Sequence, residues 1–149
     1  MGLDEPPDLD RFTHAEAWTL GQGLVLRCQA RSLPVTICIT LGRQRVFHAA
    51  LAGTSADNDA WAARKTRIVQ HFDLSSAAVY ERHARANPDF HRIFALPEAD
   101  FAAAGGAVPV RVRGTLVGVL AVSGLASADD HELAVDAIAQ LASEQNGAP

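Results

Sequence analysis

The chain has 149 residues, of which 48% are hydrophobic and 20% are charged. This is the composition of an ordinary globular domain, and it argues against a disordered chain. The formal net charge of −4 at pH 7 argues against nucleic-acid binding, which requires clustered Lys and Arg, and the sequence contains no basic stripe.

The N-terminal residues 1–10 are acidic and contain Pro6-Pro7, so we expect a flexible tail followed by a single domain over 11–149. A secretory signal would need a positively charged start and an apolar run, and this sequence has neither. No apolar stretch is long enough to span a bilayer. The sequence therefore predicts a cytoplasmic protein without a membrane partner. Cys28 and Cys38 are expected to be reduced thiols.

The first half of the domain predicts a helix followed by a β-hairpin. The helix begins within residues 10–13 and repeats apolar residues at helical spacing as far as Cys28. Residues 35–41 alternate between apolar and polar side chains, which is typical of a strand with one buried face. Gly42-Arg43 forms a turn, and residues 44–51 form the antiparallel partner.

The second half predicts helices, then a second pair of strands, then a last helix. Two helices cover residues 57–71 and a segment from Ser75 or Ser76 to the residues before Asn87-Pro88. Strands follow at 107–113 and 115–122, and the second is apolar on both faces, which places it centrally in the sheet.

An additional short strand is expected near Phe101, and the last helix opens at Ser127. The order is then α-β-β-α-α-β-β-β-α, an α+β fold in which helices pack on an antiparallel sheet.

The helix over 57–71 carries an unexpected lysine on its apolar face. Trp61, Lys65, Ile68 and Phe72 are spaced at intervals of four, three and four residues, so they share one side of the helix. A buried ammonium is costly unless an anion meets it. Either Lys65 reaches water or a carboxylate of the fold, or Arg64 or Lys65 binds an anionic ligand, assisted by hydroxyls or amides of 75–76.

His131, Gly105 and Gly106 are the other candidates for a site. His131 lies on the inward face of the last helix, where it is either a structural histidine or an acid, base or ligand. The double glycine is not followed by the residues of a phosphate-binding loop, so it either forms a sharp corner or lets a ligand approach the backbone. No histidine spacing predicts a metal site, and no catalytic set stands out, so the sequence leaves enzymatic activity undecided and favours a protein without it.

Three blocks together resemble the GlcG/HbpS-like "haem-degrading domain" family. They are Asn58–Lys65 with Phe72 and Ser75-Ser76, then Gly105–Val110, and then Gly118–Leu125 followed by Asp129-Asp130-His131. The resemblance extends from about Phe12 to Leu141, and it is strongest to a small cytosolic branch without an assigned activity.

The resemblance implies a profilin-like α/β sandwich with a five-stranded antiparallel sheet. It also implies a homodimer or a higher oligomer, and haem or another tetrapyrrole as the ligand class. Two positions depart from the family pattern: Ala104 replaces a histidine found in many members, and Val108 replaces a common aromatic residue.

The sequence therefore supports three hypotheses. The first is a binding module for haem, another tetrapyrrole or a small anion, with His131 or His71 as candidate axial ligands. The second is a non-catalytic assembly or protein-interaction module in which Trp61 and Arg64 are interface anchors. The third is an enzyme acting on a small carboxylate through Lys65 or His131. The candidate ligand-binding residues are Asn58, Trp61, Arg64, Lys65, Ser75, Ser76, Gly105, Gly106 and His131.

Overall fold

A four-stranded antiparallel sheet forms the middle layer of the computed structural model, which describes residues 3–147. The strands are β1 (Thr36–Leu41), β2 (Gln44–Ala50), β3 (Ala107–Val112) and β4 (Thr115–Ser123), in the spatial order β2-β1-β4-β3. The central position predicted for β4 is confirmed. Its side chains are buried on both faces because helices cover the sheet on both sides.

Three long helices form the two outer layers. Helices α1 (His14–Ala30) and α5 (Ser127–Gly147) contact each other and pack on one face of the sheet, whereas α2 (Ala56–Phe72) packs on the other. The alternation of β1 sorts its side chains between the layers. Ile37 and Ile39 join the core of α1 and α5, whereas Cys38 faces α2.

The first two long helices begin with capping boxes. Thr13 caps α1 together with Glu16, and Ser55 caps α2 together with Asn58, whose side chain accepts a hydrogen bond from the Ser55 N–H. These reciprocal bonds satisfy amides that no helical carbonyl can reach. Helix α2 extends one residue beyond the predicted range of 57–71 at each end.

The fifth strand predicted near Phe101 is wrong, because residues 101–104 pair with no strand. The N–H of Ala102 instead donates to the carbonyl of Arg64, which holds this segment against α2. The ring of Phe101 lies 6.0 Å from that of His71. Contacts with a helix thus replace the ladder that a fifth strand would need, and the sheet has four strands.

The segment between α2 and β3 is helical but irregular. It contains α3 (Ser76–Val79), a π-helical turn at Tyr80–Ala84 and α4 (Phe90–Ile93). The Arg85 N–H donates to the Tyr80 carbonyl five residues earlier, which is the bond that defines a π-helix. The sequence predicts helix here as far as the residues before Asn87, but it gives no sign of the wider turn or of α4.

The described residues of the N-terminal segment lie against the domain. Leu9 is 2% exposed and forms a parallel bridge with Val112 at the edge of β3. Glu5 accepts a hydrogen bond from the Ser75 N–H. The flexibility predicted for residues 1–10 stays a prediction from their composition, and residues 1 and 2 lie outside the described part of the chain. Within residues 3–147, no helix is both long and apolar enough to cross a membrane.

Candidate functional site

The Lys65 side chain forms a buried ion pair with Asp130 beyond the end of β4. Lys65 Nζ lies 3.1 Å from Asp130 Oδ2 and donates to the Val122 carbonyl, also at 3.1 Å. Lys65 is 3% exposed and Asp130 is 1% exposed. Because α2 and α5 cover opposite faces of the sheet, this pair connects the two outer layers.

The carboxylate of Asp130 has further partners in the loop that precedes α5. Its Oδ1 accepts from the Leu125 N–H at 3.0 Å, and its Oδ2 accepts from the Gly124 N–H at 3.3 Å. A buried ion pair is tolerated only when its remaining hydrogen-bonding groups are also satisfied. The two amides do this for Asp130, whereas Lys65 has the Val122 carbonyl as its second partner.

Burial shifts the pKa values of both partners. It lowers the pKa of Lys65, against the opposing effects of the Asp130 charge and hydrogen bond. It raises the pKa of Asp130, against the opposing effects of Lys65 and the two loop amides. Both directions disfavour the charged forms, and such groups beside a cleft are candidates for a functional site.

The ion pair forms part of the wall of a small open recess of about 250 Å³, which we call the lysine cleft. The recess lies at the N-terminal ends of α2 and α5. The wall residues that bear on its chemistry are Asp57, Asn58, Trp61, Lys65, Ser127 and Asp130. Three predicted site residues, Asn58, Trp61 and Lys65, therefore share one recess.

The double glycine lets the chain pass close to this pair. Gly106 has a φ of +137°, and a Cβ there would lie 2.6 Å from Lys65 Nζ and would also collide with the Val122 carbonyl. A Cβ on Gly105 would lie 2.6 Å from the Ser127 carbonyl. Both glycines thus allow close packing, which favours the interpretation of Gly105-Gly106 as a sharp corner.

Arg64 stands next to the lysine cleft but does not line it. Its guanidinium carbon lies 4.3 Å from the centroid of the Trp61 ring, within the range of a cation–π interaction. Its Nε donates to the Ala60 carbonyl. Arg64 therefore supports Trp61 from the side, and its charge is engaged by the ring.

The two serines at 75–76 have structural partners away from the cleft. Ser75 Oγ caps α3 by accepting from the Ala78 N–H at 3.1 Å. Ser76 Oγ accepts from the Ala107 N–H at 3.0 Å and donates to the Ala107 carbonyl at 3.3 Å. The fold does not bring either hydroxyl to Lys65, and it uses Ser76 to join α3 to β3.

His131 lines a different and larger recess of about 510 Å³, which we call the apolar cavity. Its Nε2 lies 2.9 Å from the carbonyl oxygen of Asp4 in the N-terminal segment. The residue is 7% exposed, and its Nδ1 has no hydrogen-bond partner among residues 3–147. Ser127 lines both recesses and lies between them, so Lys65 and His131 do not form one site.

The chain is similar to a known protein family and to individual proteins of bacteria. A family model described as "Haem degrading protein HbpS-like" matches residues 12–139. A UPF0303 protein of Streptomyces coelicolor is 42% identical over 135 residues, which cover 90% of this chain and 85% of that protein. The chain belongs to the HbpS-like family.

Solved structures show the same fold as this HbpS-like chain. The Ybr137w protein superposes with a TM-score of 0.83 at 27% identity, covering 91% of this chain and 81% of that one. A PduOC:haem complex superposes with a TM-score of 0.72 at 17% identity, covering 86% and 93%. At 17% identity the second match supports the fold alone.

The other histidine proposed as a ligand, His71, lies apart from both recesses of the HbpS-like chain. It is exposed, and its ring packs 4.9 Å from that of Phe72. Across residues 3–147, no group of three or more His, Cys, Asp or Glu side chains is arranged to hold a metal ion.

Sequence reasoning missed Asp130 as the partner of Lys65. It grouped Asp129-Asp130-His131 as one block, whereas Asp130 turns toward the end of β4. A signal was present, because a buried lysine needs an anionic partner, and a carboxylate of the fold was one of the alternatives for Lys65. The contribution of Leu3 and Asp4 to the apolar cavity had no comparable signal.

Proposed function

We propose that this HbpS-like chain is a small-molecule-binding module that holds a small anionic ligand in the lysine cleft. The observation that carries the proposal is the unused hydrogen-bonding capacity of Lys65. An ammonium has three N–H donors. The contacts within residues 3–147 use two of them, on Asp130 and the Val122 carbonyl.

The surroundings of the cleft favour a small ligand with a single negative charge. Helix N-termini attract anions, and those of α2 and α5 both lie at this recess. Trp61 offers a flat apolar wall. Asp57 also lines the cleft and repels an anion, and this repulsion is about twice as large for a phosphate dianion as for a monocarboxylate, so a monocarboxylate suits the recess better.

Tryptophan fluorescence tests this proposal, because the chain has two tryptophans and only Trp61 lines the cleft. The variant Trp18→Phe retains Trp61 as its only reporter, and Trp61→Phe retains Trp18, which is 59% exposed on α1. Each variant is titrated with acetate, oxalate and inorganic phosphate. We expect a saturable change in Trp18→Phe, strongest for acetate, and none in Trp61→Phe. No saturable change with any of the three anions would refute the proposal.

Haem is a second candidate ligand, supported by the family description and by the haem complex of the structural neighbour. Haem needs an apolar slot, an axial donor and cations for its propionates. The apolar cavity supplies a slot and His131, but Lys65 and Arg64 do not line it. The residues described here therefore do not fit haem as a complete set.

A hemin titration followed by optical absorption tests this candidate. Haem binding at the cavity predicts a saturable shift of the haem bands that His131→Ala removes and Lys65→Met leaves in place. The absence of a saturable shift in the parent protein would count against haem.

An assembly module remains the alternative, and exposed apolar side chains on α1 favour it. Trp18 is 59% exposed and Leu26 is 60% exposed. In this alternative, both side chains of α1 belong to a contact surface. If Trp61 and Arg64 anchor an interface, Arg64→Glu lowers the mass measured by light scattering. An unchanged mass would contradict that role for Arg64.

A further inference from the structure

We propose that the apolar cavity beside His131 is a second binding site, for an organic cation that carries a primary amine on an apolar body. This site is separate from the lysine cleft and does not depend on it. The proposal rests on three features of the cavity: its charge, its apolar interior and the hydrogen-bonding state of His131.

The charge of the cavity wall is negative. Four exposed carboxylates belong to it, those of Asp4, Glu81, Glu132 and Asp136. Glu81 is paired with Arg85, whereas the other three have no cationic partner within residues 3–147, and no lysine or arginine of that range lines the cavity. A cation is attracted to such a rim, and an anion is repelled by it. The lysine cleft, which contains Lys65, differs from the cavity in this respect.

The interior accepts an apolar body of moderate size. The volume is about 510 Å³, and Leu3, Ala77, Tyr80 and Val135 supply apolar surface. Tyr80 begins the π-helical turn and is 42% exposed, so its ring is accessible to a ligand. An aromatic face attracts an ammonium group in addition to the carboxylates.

His131 adds a buried hydrogen-bond acceptor to the wall. The Asp4 carbonyl can only accept, so His131 Nε2 carries the proton in that 2.9 Å contact. In the neutral ring Nδ1 is then an acceptor, and it is buried without a donor among residues 3–147. Buried polar atoms are normally paired. Because His131 lines the cavity, an ammonium bound there is the donor that we assign to this atom.

Two probes of similar size and opposite charge test the proposal by isothermal titration calorimetry. They are 2-phenylethylammonium and 3-phenylpropionate. We expect the amine to bind saturably, and the carboxylate to bind at least tenfold more weakly, because only the charge differs in sign. Equal affinities, or no binding of the amine, would overturn the proposal.

Variants on α5 locate the bound amine. Glu132→Gln combined with Asp136→Asn removes two rim charges, and we expect the affinity for the amine to fall about fivefold to tenfold. Glu144→Gln, which changes an exposed carboxylate on the same helix outside the cavity, should leave it unchanged. An equal effect of the two variants would refute the location.

The amine titration tests the apolar cavity independently of anion binding in the lysine cleft. The amine should leave the Trp61 emission of the Trp18→Phe variant unchanged, because Trp61 does not line the cavity. A response of Trp61 to the amine would place the amine in the cleft and contradict the second site. Failure of the anion titration alone leaves the amine result standing.

Discussion

The lysine cleft and the apolar cavity lie next to each other, yet a charged pair is buried in the first, whereas the carboxylates of the second are exposed. In the cleft, a lysine and an aspartate are buried together, and loop amides bind the carboxylate. In the cavity, the carboxylates stay exposed at the rim, and a single imidazole is buried. Asp130 and His131 are adjacent in sequence, but each belongs to a different recess.

The difference shows how backbone geometry decides which charge can be buried. Asp130 follows a tight loop whose amides point at its carboxylate, so its charge is satisfied inside the protein. Glu132 and Asp136 lie farther along α5, where the amides are used within the helix, and their carboxylates remain in water. Only the first arrangement makes a charge structurally indispensable.

The largest expected effect follows from removing the cation of the cleft. Lys65→Met leaves Asp130 buried without its partner, and the free energy of unfolding should fall by about 3–5 kcal/mol. Chemical denaturation of purified protein measures this loss.

The matched control for this change is the double variant Lys65→Met with Asp130→Leu. It replaces both charges with apolar groups, and it should recover most of the lost stability, because no unpaired charge remains. A loss below about 1 kcal/mol in Lys65→Met would mean that the pair is not buried as described.

An intermediate effect is expected from Gly106→Ala, which places a methyl group against the ion pair. The new Cβ meets Lys65 Nζ and the Val122 carbonyl at a backbone φ of +137°, so stability should fall by about 3 kcal/mol. Gly114→Ala is the control, since Gly114 has a φ of +82° and open space around it. This control should lower the free energy of unfolding by about 1 kcal/mol, because alanine is strained at this positive φ but meets no neighbouring atom. Equal losses of stability in thermal denaturation of the two variants would show that the contact with Lys65 does not contribute to the effect of Gly106→Ala.

The smallest effect should come from the segment beside the cavity. Glu5→Ala removes the acceptor of the Ser75 N–H, and the expected loss is about 1 kcal/mol, with faster hydrogen exchange at that amide. Glu98→Gln alters an exposed carboxylate outside the helices and should change neither measurement. If the Ser75 amide exchanges as fast in the parent protein as in Glu5→Ala, the N-terminal segment does not protect this amide.

Much of the fold could be read from the sequence because the strands and long helices have clear periodicities. The alternation of 35–41 predicted a strand with one buried face, and the apolar run of 115–122 predicted a central strand. Both strands are present, and they pair with each other. The extra strand near Phe101 could not be judged in this way. Its residues are apolar because they cover α2, and apolarity alone does not distinguish a strand from a segment packed on a helix.

The candidate site was only partly predictable, for a related reason. Helical spacing placed Trp61 and Lys65 on one face, which the cleft confirms. It could not show where Asp130 points, because that depends on the loop at Gly124 and Leu125. Nor could it separate His131 from Lys65, since the sequence does not show that these two residues line different recesses with Ser127 between them.

The ion pair also has a consequence for how the molecule opens. Lys65 and Asp130 come from helices on opposite faces of the sheet, so neither helix can detach without exposing an unpaired charge in the interior. We therefore expect amides in the middle of α2 and α5 to exchange with solvent in one shared opening event. In mechanical terms, the two outer layers are fastened around the end of β4 and behave as one cooperative unit.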